Sequence, residues 1–197
     1  MKKTAIAMAI AAVASLNSFG AAILWSVANG GIKGVSVAAD GTISDSTANI
    51  ANGADIYFYL GTTSSDDVKK AFGEDGFVAT EISGATLLES ATTKTGGKAK
   101  GSTPVSNAGI SSSEEKPFFA IVVTSLTADD ESVKHYFKLL EGRATGYETS
   151  GDPLPPPTSM SWTANQAKAV SWTAVPEPAT AALALLGLGL MIKRRKA

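Results

Sequence analysis

His135 is the single histidine of this 197-residue chain, and the chain has no cysteine. Thiolate catalysis and metal sites built from several His or Cys ligands are therefore excluded. A Ser-His-Asp arrangement could combine His135 with Asp129 or Asp130, but the Gly-x-Ser-x-Gly turn that exposes a nucleophilic serine is missing. Strand alternation places His135 on one face with Phe137 and Leu139. We therefore interpret His135 as a partly buried structural residue and predict no catalytic residue.

Neighbouring acidic residues could supply the two carboxylates that glycoside cleavage requires. Such groups occur at Asp66-Asp67, at Glu114-Glu115 and at residues 129–131. The last group could also bind calcium, but the oxygen spacing of an EF-hand loop is absent. Adjacent acids in polar segments are usually solvated, so we predict no catalytic pair, no metal site and no cofactor.

Four aromatic residues are the best candidates for a binding surface, because flat rings can stack against sugars. They are Tyr57, Tyr59, Trp162 and Trp172. Alternation along residues 55–60 places both tyrosines on one face of a strand. The competing interpretation, which the sequence favours, is that these rings only close the β-structure.

The elements that must position these side chains are predicted to be short strands. Residues 118–123 are continuously apolar, which is typical of a central strand covered on both faces. Residues 133–140 follow a polar, acidic connection and should pair with that strand as an antiparallel hairpin. Residues 55–60 alternate as a strand that packs on a core. Weaker strand candidates lie at 23–27, 32–38, 77–82 and 85–91.

One short helix is predicted after Ser64. Asp66 and Asp67 suit the positive N-terminal end of a helix, Lys69 and Lys70 suit its later turn, and a following glycine should end it. The sequence therefore predicts a mainly β fold: a small antiparallel β-sandwich or barrel with one short helix. The Gly/Ser-rich stretch between the strand candidates, residues 92–115, is predicted to be a mobile loop or a pair of loops.

The last part of this β-structure has two unusual features. Residues 152–158 are rich in proline and should form a stiff extended segment. The tetrapeptide Ser-Trp-Thr-Ala then occurs twice, at 161–164 and at 171–174. These segments are either closing strands that dock Trp162 and Trp172 on the sheet or a stalk near the membrane. We favour the strands, because a stalk seldom carries two tryptophans.

Residues 1–22 have the three parts of a secretory signal peptide. Lys2 and Lys3 are followed by about a dozen apolar residues and then by a small-residue exit that includes Gly20, Ala21 and Ala22. The Met-Lys-Lys-Thr-Ala-Ile-Ala opening resembles the signal peptides of bacterial outer-membrane proteins. Signal peptidase needs small residues at its cleavage site, so we predict a cut after Gly20 or after Ala22.

The C-terminal tail, residues 175–197, begins with a short proline-containing motif: Val175, Pro176, Glu177 and Pro178. The apolar run at 179–192 would form a helix of about 21 Å at ~1.5 Å per residue, against a hydrocarbon core of ~30 Å. The run ends in a basic cluster of four residues: Lys193, Arg194, Arg195 and Lys196. This cluster should stay in the cytoplasm and act as a basic lock, which means that it prevents the C-terminus from crossing the membrane. A short transmembrane helix held in this way suits a temporary stop in the inner membrane.

These three parts, in this order, resemble the PEP-CTERM sorting signal of Gram-negative bacteria. The resemblance covers about the last 23 residues. It implies that an exosortase, which is a membrane protease, recognises the Pro-Glu-Pro motif and releases the protein toward the cell surface or the medium. It also implies a connection with exopolysaccharide, because genes of this family commonly accompany its production. The alternative is an ordinary C-terminal membrane anchor.

The chain is thus predicted to consist of a signal peptide at 1–22, a β-rich passenger at 23–174 and a sorting tail at 175–197. Six of the 17 basic residues lie in the two terminal clusters, which leaves the passenger with a net negative charge. An acidic passenger repels phosphate backbones, so we predict no nucleic-acid partner. We predict an exported cell-surface or matrix protein with a non-catalytic structural passenger. The alternative is a secreted carbohydrate-binding or carbohydrate-active module.

Overall fold

The computed structural model describes residues 23–73, 76–101, 115–127, 132–145 and 159–176. Within these ranges the fold is mainly β, with helices α1 (Ser65–Lys70) and α2 (Ala164–Ala169) and a 3₁₀ helix at Ala79–Glu81. The strands are β1 (Leu24–Val27), β2 (Lys33–Val37), β3 (Ile43–Asn49), β4 (Asp55–Gly61), β5 (Phe72–Gly73), β6 (Gly76–Phe77), β7 (Ala85–Thr92), β8 (Ala99–Lys100), β9 (Glu115–Thr127), β10 (Val133–Thr145), β11 (Ser159–Trp162) and β12 (Thr173–Ala174). The predicted signal peptide, the proline-rich segment at 152–158 and the tail from residue 177 lie outside the described residues.

A five-stranded sheet in the order β12-β10-β9-β4-β7 forms the centre of the fold. β9 and β10 pair along their whole length, from Val133 opposite Thr127 to Thr145 opposite Glu115. Residues 118–122 in the middle of β9 are all buried, as a central strand covered on both faces requires. The predicted antiparallel hairpin and the predicted strand at 55–60 are therefore confirmed.

A three-stranded sheet in the order β11-β1-β8 shares a hydrophobic core with one face of the main sheet. In this core the rings of Trp25 and Phe58 stack with centroids 5.3 Å apart, and those of Phe58 and Phe118 with centroids 5.6 Å apart. Strands β1 and β11 are parallel, so the prediction of a purely antiparallel fold is wrong at this pair. The described strands do not close into a barrel.

The opposite face of the main sheet is covered by α1, the β5–β6 hairpin and the 3₁₀ helix. Val68 of α1 and Ile82 are buried there against Tyr59, Phe119 and Phe137. The main sheet therefore has apolar layers on both faces, which explains why its central strand carries no alternating polar positions.

Helix α1 forms where the sequence predicts it. The Ser64 hydroxyl accepts a hydrogen bond from the backbone N–H of Asp67 at 3.1 Å and so caps the first turn. Asp66 and Asp67 form ion pairs with Lys69 and Lys70 at 3.0 and 2.8 Å. Pairs of this kind contribute about 0.2–0.5 kcal/mol each, so the helix depends mainly on its docking to the sheet.

Residues 77–82 do not form the predicted strand. The segment leaves β6 at Phe77 and continues as the 3₁₀ helix, and the backbone N–H of Val78 bonds to the Ala71 carbonyl at 2.8 Å. Ile82 is buried in the core, Phe77 packs partly buried against the same core, and Val78 is exposed. The apolar residues Phe77 and Ile82 therefore cover one face of the main sheet and do not extend the sheet.

Further elements were not predicted, among them strands β3 and β8 and helix α2. Strand β8 lies in the described part of the predicted loop at 92–115, next to an antiparallel bridge between Lys94 and Lys98. Helix α2 lies between the two Ser-Trp-Thr-Ala segments and starts with a capping box formed by Thr163 and Gln166. The prediction of one helix is therefore wrong, although the Thr-x-x-Gln capping pattern was present in the sequence.

Candidate functional sites

Both repeated tryptophans are buried, with 4% of each residue exposed. The indole N–H of Trp162 donates to the Glu141 carbonyl at 3.0 Å, and that of Trp172 donates to the Lys33 carbonyl at 3.2 Å. Trp162 ends β11, which pairs with β1, and Trp172 directly precedes β12, which pairs with β10. The two segments therefore dock on the β-structure and do not form a stalk.

Tyr59 is also enclosed by the protein. Its ring stacks on Phe119 with centroids 4.8 Å apart, and its hydroxyl donates to the Ala79 carbonyl at 2.8 Å. Burial first, and then the neighbouring Tyr57 phenol, raises the pKa of Tyr59 well above its ordinary value. Tyr57 itself is only half-buried: it packs against Phe77 at 4.9 Å and lines a surface pocket. Of the four predicted stacking rings, Tyr57 alone is therefore placed where a ligand could reach it.

Replacing Tyr59 with phenylalanine should reduce the stability of the protein by about 1 kcal/mol at neutral pH, because the Ala79 carbonyl loses its donor. The raised pKa adds a second effect. The protonated phenol is favoured in the folded state, so its contribution is complete below the ordinary tyrosine pKa of about 10 and is lost as the pH rises above that value. Denaturation measured between pH 8 and about pH 11 should therefore show a steeper alkaline loss for the unsubstituted protein than for Tyr59→Phe. An equal loss of stability with rising pH in the two proteins would contradict a raised Tyr59 pKa in the folded state.

His135 contacts a serine, Ser125, but the two residues are simply neighbours on adjacent strands. Its Nδ1 lies 2.9 Å from the Ser125 hydroxyl, and the two residues are register partners in the β9–β10 hairpin. Its ring also contacts Phe72 with centroids 5.7 Å apart. In the described residues no carboxylate is hydrogen-bonded to the imidazole, and Asp129 and Asp130 lie outside them. The geometry fits the structural role that the sequence favoured for His135.

The described acidic residues of the predicted pairs are engaged in surface ion pairs. Asp66 and Asp67 bind lysines of α1, and Glu115 binds Arg143 at 2.9 Å. The hydrogen bond from Lys70, followed by that from Ser64, lowers the pKa of Asp67. Glu114 and residues 129–131 lie outside the described residues.

The sequence reasoning missed the most deeply buried charge that the structure describes. The Lys138 side chain is 0% exposed, and its Nζ lies 2.6 Å from a carboxylate oxygen of Asp45, which is 27% exposed. The same Nζ lies 3.4 Å from the Ala167 carbonyl and 5.3 Å from the Trp172 ring centroid. The sequence does contain a sign of this burial, because Lys138 lies between Tyr136 and Leu140 on the same, otherwise apolar, face of a strand.

This lysine joins four parts of the chain. It lies on β10 and reaches the β2–β3 hairpin through Asp45, helix α2 through Ala167, and the segment before β12 through Trp172. The buried cation therefore adds side-chain contacts that connect the β2–β3 hairpin, α2 and the segment before β12 to the main sheet.

The predicted sorting tail begins directly after the last described strand. Thr173 and Ala174 of β12 pair with Phe137 and Tyr136, and the Val175 N–H donates to the His135 carbonyl at 3.0 Å. Pro176, the next residue, is exposed. The first residue of the predicted sorting motif is thus held by the main sheet, and the second one faces solvent. Glu177, Pro178, the apolar run and the basic cluster lie outside the described residues.

Comparison with known protein families finds a PEP-CTERM protein-sorting motif at residues 174–196. This match confirms the resemblance inferred from the Pro-Glu-Pro residues, the apolar run and the terminal basic cluster. The motif indicates an exported protein that is sorted by an exosortase at a membrane. Searches of curated proteins and of solved structures give no match. No helix in the described ranges is long and apolar enough to cross a membrane, and the predicted helix at 179–192 lies outside those ranges.

Proposed function

We propose that this chain is an exported protein of the bacterial cell surface or extracellular matrix, with a structural passenger that an exosortase releases. The observation that carries the proposal is the position of the sorting motif, which begins where the last strand of a folded passenger ends. Exosortase and signal peptidase are its processing partners, and the inner membrane holds the chain only in transit.

The proposed transit depends on the physical properties of the tail. The helix predicted at 179–192 would be about 21 Å long, which is shorter than the ~30 Å hydrocarbon core. Without the basic cluster, such a helix would be only weakly anchored in the membrane. Lys193 to Lys196 oppose translocation and keep the C-terminus cytoplasmic. Release by a protease at the outer side of the membrane then frees the passenger.

We further propose that the passenger is not an enzyme. Its single histidine is engaged with Ser125 across the sheet, and its described acid pairs are engaged with surface lysines and Arg143. These contacts support a structural use of the residues that could otherwise act as a general acid or base.

A carbohydrate-binding passenger is the second candidate, and the pocket beside Tyr57 supports it. The predicted stacking role of Tyr59, Trp162 and Trp172 has less support, since all three rings are buried and satisfy their polar atoms inside the protein. Binding would then depend on Tyr57 and its surface neighbours.

The proposed export can be tested at both ends of the chain by mass spectrometry of the protein recovered from outside the cell. We expect a new N-terminus at Ala21 or Ile23 and the loss of the basic cluster. The cut after Gly20 is favoured, because Ile23 is 0% exposed and belongs to the hydrophobic core, where a terminal ammonium group would be costly. An extracellular protein that retained Met1 would rule out signal-peptide cleavage, and one that retained Lys193 to Lys196 would rule out proteolytic sorting.

A further inference from the structure

Two pockets adjoin at the edge of the main sheet and share the side chains of Lys94 and Lys100. The first has a volume of about 410 Å³ and is also lined by residues of β4 and β7. The second has a volume of about 330 Å³, runs along β1 and includes Lys98. Each volume lies in the range of small-ligand sites. We call the two pockets together the basic groove.

The basic groove concentrates positive charge in a passenger that is acidic as a whole. Lys94, Lys98 and Lys100 are all exposed, and none of them forms an ion pair within the described residues. Lys94 and Lys98 also face each other as partners of a β-bridge. Like charges directly opposite each other destabilise a strand pair. The arrangement therefore has a cost that a bound anion would remove.

The turn that carries these two lysines is fixed to the body of the protein. Gly96 and Gly97 adopt positive φ values of 85° and 63°, which a tight turn needs and other residues rarely adopt. The Gly96 carbonyl accepts a hydrogen bond from the Gly30 N–H at 2.7 Å, and the Gly97 carbonyl accepts one from the Ile32 N–H at 3.1 Å. The lysines are thus held close together before any ligand arrives, which reduces the ordering cost of binding.

The rest of the groove supplies aromatic and hydroxyl contacts and one acidic group. Tyr57 lies opposite Ser90 in the β4–β7 pair, and Asp55 lies opposite Thr92. All four residues line the first pocket. A half-buried ring, two hydroxyl groups and one carboxylate acceptor are the groups that bind the faces and the hydroxyls of sugars.

We propose that the basic groove binds an acidic polysaccharide, with Lys94, Lys98 and Lys100 pairing its carboxylates and Tyr57 contacting a sugar ring. A membrane surface fits less well, because none of the exposed large hydrophobic residues of the described chain lines the groove: Val37, Val78, Leu126 and Val133. The proposal rests on export to a compartment that contains such glycans, but its binding test does not depend on processing of the tail.

The test uses the full chain purified from the cell envelope in a neutral detergent, with alginate oligosaccharides as the acidic probe. Calorimetry should detect binding that weakens as salt is added, since the lysines are exposed and screened. Dextran serves as the neutral glycan, polyglutamate as an acidic polymer without sugar rings, and phosphatidylglycerol vesicles as the anionic membrane. We expect little or no binding to these three probes.

Lysine substitutions locate the site. Lys94→Gln, Lys98→Gln and Lys100→Gln should each weaken alginate binding by about twofold to fivefold, the effect of one exposed ion pair. Tyr57→Leu keeps apolar volume beside Phe77 and should weaken binding by roughly twofold to tenfold. Lys168→Gln on α2 removes an exposed lysine that lines neither pocket and should leave the affinity unchanged.

Thermal unfolding separates a ligand role from a structural one. Lys98→Gln relieves the repulsion across the bridge, so its melting temperature should be equal to or higher than that of the unsubstituted protein while its affinity falls. A variant that combines Lys94→Gln, Lys98→Gln and Lys100→Gln should lose most of its alginate binding, and an affinity equal to that of the unsubstituted protein would overturn the proposal. Equal binding of polyglutamate, or tighter binding of the vesicles, would overturn the assignment to a saccharide. Failure of tail processing, by contrast, would contradict only the proposed sorting route.

Discussion

Replacing Pro176, Glu177 and Pro178 with alanine should leave the protein in the inner membrane and reduce the amount released from the cell by at least about tenfold, as expected when a protease loses ~1.4 kcal/mol or more of transition-state stabilisation. The two prolines favour an extended backbone and should prevent the predicted helix at 179–192 from extending upstream. Alanine is the best helix former, so the triple variant permits a longer helix in which the proteolytic recognition segment is lost. Cell fractionation followed by immunoblotting measures the distribution.

The structure indicates that this substitution should not unfold the passenger. Pro176 is exposed and donates no backbone hydrogen bond, while the last strand pairs are made by residues 173–175. The melting temperature should therefore stay unchanged, and a change in location can be assigned to sorting. A matched control replaces the three consecutive prolines at 155–157 with alanine, which removes the same residue type outside the motif. Normal release of the Pro-Glu-Pro variant would contradict sorting by an exosortase.

The basic cluster provides an independent arm of the same experiment. Changing Lys193, Arg194, Arg195 and Lys196 to glutamine removes the charges that oppose translocation and leaves the Pro-Glu-Pro motif intact. We expect a protein that is less firmly held in the membrane, which is the opposite defect to the one expected of the triple alanine variant. The same defect in both variants would show that the two parts of the tail do not have separate roles.

Local patterns in the sequence were sufficient to predict the central strands of the main sheet and helix α1. The continuous apolar run at 118–123, the alternation at 55–60 and the charge pattern after Ser64 each determine an element within a few residues, because burial and capping act locally. The parallel pairing of β1 with β11 could not be read in this way. It joins Leu24 to Ser159, and no local pattern specifies which distant segment will pair with an edge.

The two Ser-Trp-Thr-Ala segments show the limit of local reasoning most clearly. In the first, Trp162 ends a strand and Thr163 caps helix α2; in the second, Thr173 begins strand β12. Identical tetrapeptides therefore enter different secondary structures, while both tryptophans are buried as the sequence favoured. Burial follows from the indole ring itself, whereas the backbone conformation follows from what lies beside each segment.

The candidate binding residues divide in the same way. Aromatic residues can be found in a sequence, but their exposure depends on the tertiary structure. The structure buries three of the four predicted rings and leaves Tyr57 accessible. The lysines of the basic groove gave no sequence signal, because Lys94, Lys98 and Lys100 lie in a stretch that reads as a polar loop. Only the bridge and the neighbouring sheet edge bring them to one depression.

Removal of the Asp45 carboxylate is the stability prediction with the largest expected effect. Asp45→Ala should lower the free energy of unfolding by about 3–5 kcal/mol, because it leaves the fully buried Lys138 ammonium without its ionic partner. The remaining contacts, to the Ala167 carbonyl at 3.4 Å and the Trp172 ring at 5.3 Å, cannot replace a full negative charge. For a passenger of about 150 residues this corresponds to a decrease in melting temperature of roughly 6–20 °C.

Removing one partner of this ion pair should destabilise the protein more than removing the other. Lys138→Met removes the buried cation and fills its volume, and it leaves Asp45, which is 27% exposed and can regain water. Lys138→Met should therefore cost less than Asp45→Ala, and the double variant should approach the stability of the unsubstituted protein, since a hydrophobic replacement of a buried pair is often neutral. Asp66→Ala is the control, because it breaks an exposed ion pair whose loss should cost less than about 1 kcal/mol. Thermal unfolding followed by circular dichroism ranks the four variants. A double variant no more stable than Asp45→Ala, or equal losses for Asp45→Ala and Asp66→Ala, would contradict the role of Lys138 as the buried charge that fixes β12 and the start of the sorting tail to the core.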